Sequence, residues 1–305
     1  MAELRLSVPA SLAGERLDRA LALLTGRSRS EVAAWVASGR VAVAGRPAAG
    51  SRRLREGEEL VAEVGDAPPE PGPAADPGVE LDVVAAQPHY LVVDKPAGLV
   101  VHPGAGHAGA TLVNGLLARF PELAGVGDPT RPGLVHRLDK GTSGLMVVAR
   151  TPRGYEGLRA QLARRQVERR YLALASGLLE PSAGVVEAPV GRSPRRPTAM
   201  AVTAAGRPAR TRFRALARYE EGPATLVECW LDTGRTHQVR VHLAAVGHPL
   251  VGDPRYGGPP GGLGRPFLHA HRLSFDDPGG GGRASYESPL PAELSEVLDR
   301  LGAAV

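Results

Sequence analysis

The chain has 305 residues, enough for about two domains, and its 43% hydrophobic content is enough for real cores. Its single cysteine, Cys229, excludes an internal disulfide framework and a cysteine-rich zinc site, and no apolar run approaches the roughly 18 residues of a membrane span. The net charge of +5 points to polyanions as partners, but every one of the 37 basic residues except Lys95 and Lys140 is an arginine. An excess of Arg, Gly and Pro is also what a GC-rich genome produces, so charge alone assigns nothing.

The first residues carry Glu3, Arg5, Glu15 and Arg16 and do not read as a signal peptide, so the expected setting is reduced and cytoplasmic. Leu12, Leu17, Leu21 and Leu24 recur at helical spacing. A second helix is expected in "SRSEVAAWVASGR", with Ser28 or Ser30 as N-cap, Val32, Trp35 and Val36 as its apolar face and Gly39 as its stop. The following "VAVAGRPAAGSRRLREGEELVAEV" alternates like short strands joined by Gly-containing turns. Residues 66–78, with five prolines and no large apolar side chain, read as an extended linker between a domain at 1–65 and one at 79–305.

In the second domain, "HYLVVDKPAGLVVHP" reads as two strands around a turn at Lys95-Pro96-Ala97-Gly98. "TLVNGLLARF" reads as a short helix ended by Pro121, and "GLVHRLDKGTSGLMVVAR" as strand, loop, strand. Thr151 and Pro152 form an N-cap and first helical position, followed by a face of Tyr155, Leu158 and Leu162. "VERRYLALASG" and "ATLVECWLD" alternate as strands. Thr236 is the expected cap of a helix with Val239, Leu243 and Val246 on one face and Gly247 as its stop. Sequential strands outnumber helices, so the fold class is α+β on a mainly antiparallel sheet.

Two signals mislead. "GAGHAG" at 104–109 matches G-x-G-x-x-G, but the ribose-binding acid of a dinucleotide site belongs about 20 residues on. Asp139 lies 30 residues beyond Gly109. His237 and His242 are five apart rather than four, and His269 and His271 have no carboxylate motif beside them, so capping or core roles are expected rather than a metal. Cys229 shares a strand face with Val227 and Leu231 and reads as a small buried side chain.

Asp139 follows an apolar run and precedes Lys-Gly-Thr, good turn chemistry. Its neighbours admit a catalytic role as well. Arg137, two residues back, would share its strand face, and Thr142, Ser143 and Gly144 supply hydroxyl and N–H groups that hold anions. Further on, "DTGRTHQVRVH" puts Arg235 in a loop and Arg240 in the first turns of a helix. An arginine near a carboxylate keeps it ionised, fit to be a nucleophile or base.

These residues carry a resemblance. "VVDKPAGLVVHPG", "VHRLDKGTSGLMVVAR", "ERRYLAL", "TGRTHQVRVHLAAVGHPLVGDPRYG" and "FLHAHRLSF" with "ESPLP" resemble, in order, motifs of the RluA/RluD family of RNA pseudouridine synthases, and cover nearly all of 88–301. The first domain, with Arg27, Arg29, Arg40, Arg52 and Arg53 near its helix ends, resembles the alpha-L RNA-binding domain common in that family. The resemblance implies an isomerase that converts uridine to its C-glycoside isomer in RNA, with large-subunit ribosomal RNA, free or in a pre-ribosomal particle, as its expected partner. Asp139 would attack the anomeric carbon, add to the uracil ring or help form a glycal. Tyr171 would stack on the target uracil, Arg240 would pair with Asp139, and Arg137 would fill the gap left by the flipped base. Arg27, Arg29 and Arg40 would contact RNA phosphates. A redox-neutral isomerisation implies no cofactor, nucleotide or metal; a monomer and no membrane are expected. Gly141 stands where "LDKDTSG" would have an acid, which puts the loop's conformation in question. A non-catalytic ribosome-assembly factor is the alternative.

Overall fold

A computed structural model of the chain describes residues 2–27, 29–64, 72–104, 109–196 and 198–304, with only the backbone of Ala2, Arg29 and Ser30. The chain divides into two compact units, Met1–Gly72 and Pro73–Val305.

The first unit contains β1 (Ala2–Ser7), α1 (Leu17–Thr25), α2 (Arg29–Ala37), β2 (Val41–Val43), β3 (Arg46–Pro47) and β4 (Glu59–Val64). Its four strands form an antiparallel sheet in the order β1-β4-β2-β3. The N-terminal residues alternate Leu4 and Leu6 with Glu3 and Arg5 and make β1. The expected leucine stripe narrows to Leu17 and Leu21: Leu12 sits in a separate 3-10 turn, and Leu24 is exposed. Val32 and Trp35 of α2 are fully buried against Leu60 and Ala62 of β4, and Gly39, at φ +75°, ends the turn that Val36 begins. Ser28 lies outside the described residues, as does the side chain of Ser30.

The second unit contains β5 (Asp82–Ala86), β6 (Tyr90–Lys95), α3 (Leu112–Arg119), β7 (Ser143–Ala149), α4 (Pro152–Ala163), β8 (Glu168–Ser176), β9 (Ala183–Glu187), β10 (Val190–Arg192), β11 (Met200–Val202), β12 (Arg210–Tyr219), β13 (Ala224–Leu231), α5 (Gln238–Ala245), β14 (Leu268–Asp276), β15 (Arg283–Glu287) and α6 (Ala292–Leu301). A nine-stranded sheet runs β5-β6-β7-β14-β8-β13-β12-β9, with β15 on β14. Every pairing in it is antiparallel except β7 with β14, so the fold is α+β on a largely antiparallel sheet. Leu112 and Leu116 of α3 and Val239 and Leu243 of α5 share a core with Tyr171, Val227 and Cys229. Leu158 of α4 packs under Phe275, and Leu294 and Val297 of α6 pack on Leu174 and Phe267. Burial pushes the Cys229 thiol up to about 12, which leaves it inert.

Two expected strands are absent, and the reason in each case is a competing partner. After β6 the chain does not return as a ladder, because the carbonyls of Val100 and Val101 accept the first N–H groups of α3, from Leu112 at 2.9 Å and Val113 at 3.1 Å. The run before Asp139 touches β7 through one bridge, Leu134 to Val148. Along that edge of β7, Ala149 N–H donates to Gly133 O at 2.8 Å, and Val147 N–H donates at 3.0 Å to the Nε2 of His136. An imidazole thus stands in for a strand carbonyl, and the chain turns away before Asp139. Of the expected linker, 66–71 lie outside the described residues. Beyond them, Ala74 O accepts Asn114 Nδ2 at 2.6 Å and Asp76 N–H donates to Asn114 O at 2.9 Å, so this stretch lies along α3.

Candidate active site

Asp139 sits in a loop whose backbone is pinned at successive residues. Its carbonyl accepts Thr142 N–H at 3.1 Å, the Lys140 carbonyl accepts Gly98 N–H at 2.8 Å, and the Gly141 carbonyl accepts an Arg265 nitrogen at 3.3 Å. Leu138 beside it is anchored in the core. Lys95 lies fully buried beneath, its ammonium donating to the carbonyls of Pro96 at 2.7 Å, Leu99 at 3.0 Å and Lys140 at 3.4 Å. Burial, reinforced by Arg265, pushes its pKa down to about 7. The loop ends where Gly144, at φ +115°, opens β7 against β14. A Cβ there would stand 2.4 Å from the Ala270 carbonyl oxygen, which only glycine avoids.

The Asp139 carboxylate is 15% exposed and faces two groups delivered by α5, Arg240 NH1 at 3.4 Å and His237 Nε2 at 3.8 Å. Arg240 is held elsewhere: its Nε and NH2 grip Asp253 at 2.6 and 2.9 Å, and its guanidinium lies 5.0 Å from the centre of the Tyr256 ring. The Tyr256 hydroxyl accepts Met200 N–H at 3.1 Å and meets His237 Nδ1 at 2.7 Å. Burial lowers the His237 pKa against the pull of Asp139 and raises that of Tyr256, so both rings are neutral near pH 7. His237, not Thr236, is the N-cap of α5, in a left-handed conformation at φ 58°. His237 makes no side-chain cap hydrogen bond; the Gln238 side-chain oxygen instead accepts Arg235 N–H at 3.0 Å and so fixes the loop that leads into the helix.

Arg137, Asp139 and Tyr171 line one pocket, with His136, Arg169 and the loop carrying Arg235, Thr236 and His237. Tyr171 is 5% exposed, and burial raises its pKa, leaving a neutral phenol ring on the pocket wall. Arg137 does not share a strand face with Asp139, since no strand forms there; it is exposed, with NH1 3.4 Å from His102 Nε2. His242 is a core residue, bridging Thr211 Oγ1 at 2.9 Å and Ala188 O at 3.0 Å. His269 meets Ser143 Oγ at 2.9 Å and His271 meets Glu228 at 3.0 Å. Residues 105–108 of the glycine-rich stretch lie outside the described residues. No group of three or more His, Cys, Asp or Glu among the described residues is placed to hold a metal ion.

In the first unit, Arg27 pairs with Glu31 at 3.2 Å and Arg40 stands where α2 turns into β2; the Arg29 side chain is outside the described residues. Sequence reasoning missed Asp253, Tyr256 and Arg169. Asp253 carried one usable signal, an acid in the apolar stretch "HPLVGDPRY", where burial demands a cation.

The sequence profile of the S4 domain matches residues 15–60, and that of RNA pseudouridylate synthase matches residues 89–245. An uncharacterised RNA pseudouridine synthase of Bacillus subtilis is 41% identical over 292 residues, 94% of each chain. The chain belongs to the RNA pseudouridine synthase family. The synthase is 43% identical over 308 residues to the ribosomal large subunit pseudouridine synthase D of Nitrosomonas europaea, covering 98% of this chain and 88% of that one. Among solved structures, human RNA Pseudouridylate Synthase Domain Containing 1 aligns with a TM-score of 0.57 and 27% identity, over 75% of this chain and 98% of that one. The synthase is accordingly an isomerase acting on RNA, and it carries an RNA-binding S4 domain. No helix among its described residues is long and apolar enough to cross a membrane.

Proposed function

We propose that this synthase isomerises specific uridines of large-subunit ribosomal RNA, with Asp139 as its reacting carboxylate. One observation carries the reading: Asp139 and Tyr171 line one pocket, and Arg240 reaches Asp139 from α5, 101 residues away in sequence. The relative named for the ribosomal large subunit, matched over 98% of this chain, supports the choice of RNA.

The chemistry needs no co-reactant. The C1′–N1 bond breaks, the uracil turns, a C1′–C5 bond forms, C5 loses a proton and N1 gains one. Asp139 serves as nucleophile or base in these steps. A glycosidic bond inside a helix is out of reach, so the uridine must leave the stack. Tyr171 then offers the flat apolar wall for the uracil, and the exposed Arg137 at the pocket mouth fills the space the base vacates. Arg240 supplies the positive charge that orients the Asp139 carboxylate. The 1–65 domain, through Arg27, Arg29 and Arg40, holds the RNA and raises its local concentration at the 79–305 domain across the 66–78 stretch. In this reading the synthase acts as a cytoplasmic monomer without a cofactor, on free or pre-ribosomal RNA.

The test is incubation of the full chain with unmodified large-subunit ribosomal RNA and mapping of pseudouridine, alongside Asp139→Asn. Site-specific product from the parent and none from the variant is expected. Equal product from both would remove Asp139 from the chemistry.

A further inference from the structure

Arg169 differs from the other cations around the pocket. It is the second residue of β8, two before Tyr171, so strand alternation brings both side chains to one face, and both line the Asp139 pocket. Its NH2 donates to Leu231 O at 3.2 Å, and its buried Nε has no acceptor among the described residues. Nor does any described carboxylate lie within ion-pair distance of it. Asp232, close enough for its charge to be felt, is held by Arg212 at 2.7 Å and Arg210 at 3.7 Å. By contrast Arg240 has two carboxylates and Arg265 has Glu293 at 2.7 Å.

A buried cation with no counter-charge is costly, and native structures retain such groups where they serve a ligand or a reaction. Burial holds the Arg169 guanidinium below its ordinary pKa. Burial, aided by Arg169, also pushes the His136 ring down to about 3, so the neighbouring imidazole and the Tyr171 phenol are both neutral. Gly234 lets the guanidinium lie against bare backbone: a Cβ there would stand 2.8 Å from Arg169 NH1.

We propose that Arg169 is a further substrate-binding residue, whose unpaired guanidinium edge takes an anionic oxygen of the nucleotide seated between Tyr171 and Asp139. The inference rests on the functional reading above. Two kinds of oxygen on that nucleotide can carry the required charge. A phosphate oxygen is charged throughout, so pairing with it works on binding. A uracil oxygen gains charge only as the C1′–N1 electron pair leaves with the base, so pairing with it works on rate.

The experiment measures equilibrium RNA binding, single-turnover pseudouridine formation and thermal unfolding. It uses the full chain, Arg169→Gln, Arg169→Lys and Gly234→Ala, on unmodified large-subunit ribosomal RNA. Arg169→Gln is expected to show one of two losses. Binding about tenfold weaker with a shallower salt dependence identifies the phosphate; normal binding with a rate at least about tenfold lower identifies the uracil oxygen. Arg169→Lys recovers part of either loss. Gly234→Ala, which displaces the guanidinium without removing it, shows the same kind of loss. Binding and rate within about twofold of the parent in a folded Arg169→Gln would overturn the proposal. So would a loss in Arg169→Gln that follows unfolding while Gly234→Ala behaves as the parent. Failure of the parent chain to form pseudouridine would instead bring down the functional reading, and this proposal with it.

Discussion

Arg240 grips Asp253 with two nitrogens, at 2.6 and 2.9 Å, and reaches Asp139 with only one, at 3.4 Å. The fully buried Asp253 therefore sets where the guanidinium lies, and Asp139 receives what geometry remains. Asp253→Asn leaves a buried cation half-paired, a loss of about 3 kcal/mol. We expect urea unfolding to register that loss, single-turnover rates to fall at least about tenfold, and RNA affinity to stay within about twofold. A parental rate in a folded Asp253→Asn would show that Arg240 needs no orienting partner.

Gly144 joins the Asp139 loop to the sheet, and its φ of +115° brings its hydrogen to within reach of Ala270. In Gly144→Ala the new methyl would meet the Ala270 oxygen at 2.4 Å and nitrogen at 2.6 Å, both backbone atoms of β14 that cannot swing aside. The expected cost is about 4 kcal/mol or more, a fall in Tm of roughly 10 °C. Gly98→Ala is the control: φ is +88° but nothing lies within 4 Å, so only the left-handed strain of about 1–2 kcal/mol remains. Equal scanning-calorimetry shifts for the two would contradict the steric argument.

What could be read in advance followed from local rules. Thr151 caps α4 by accepting Gly154 N–H at 3.1 Å because Thr-Pro before an apolar face fixes that geometry nearby in the chain. "GLVHRL" looks like a strand by composition, yet the matching edge of β7 is served by the His136 ring, a long-range choice that periodicity does not encode. Asp139, Tyr171 and Arg240 were visible as motif positions. Asp253, Tyr256 and Arg169 lie in the same motifs but carried no expected role, because what each does depends on how other elements pack around it. The Arg169 side chain looks like one more arginine in "ERRY" until the absence of a described counter-ion singles it out.

Acid should weaken the fold through histidines whose pKa desolvation lowers. Burial, with Arg137 and Arg131, pushes His102 down to about 4, and His136 lies near 3. Both folded values are below the ordinary 6.5, so as pH falls the unfolded chain takes up these protons first. Stability is then full above about pH 6.5 and declines towards pH 4, by at most about 1.4 kcal/mol per pH unit for each group. Lys95, with its pKa lowered to about 7, is protonated in both states over most of this window and adds little slope. Above pH 7 its depressed value makes stability rise with pH. In His136→Gln the amide oxygen can accept Val147 N–H without titrating. Urea unfolding at pH 6.5 and 5 should give a shallower decline for this variant; an unchanged slope would acquit His136.

Gly141 departs from the acid its resemblance leads one to expect, and the loop here is held by other contacts. The Gly141 carbonyl is already held by Arg265 at 3.3 Å, and a Cβ would sit 3.1 Å from Pro266 Cδ and 3.7 Å from Arg265 Cβ. Gly141→Asp thus gains a cation nearby and pays for it in a tight contact. We expect stability within about 1 kcal/mol of the parent and a rate within about threefold, since the tight contact and the added charge pairing act in opposite directions. A rate gain above tenfold would mean that the glycine does leave the Asp139 loop loose.

Arg27 and Arg40 test the first unit by charge alone. Arg27 is half exposed and its partner Glu31 sits at 3.2 Å, an ion pair that solvent makes weak and a phosphate can replace. Each phosphate contact contributes about 0.7–0.9 to the slope of log K against log salt. Arg27→Ala with Arg40→Ala should therefore weaken binding to ribosomal RNA uniformly across sequences and reduce that slope by up to about two. At saturating RNA the single-turnover rate should be parental, because neither residue belongs to the unit that contains Asp139. Filter binding from 50 to 200 mM salt reads the slope directly. An unchanged slope would take both arginines out of the RNA contact; an unchanged slope with a reduced rate would mean that they act on the chemistry instead.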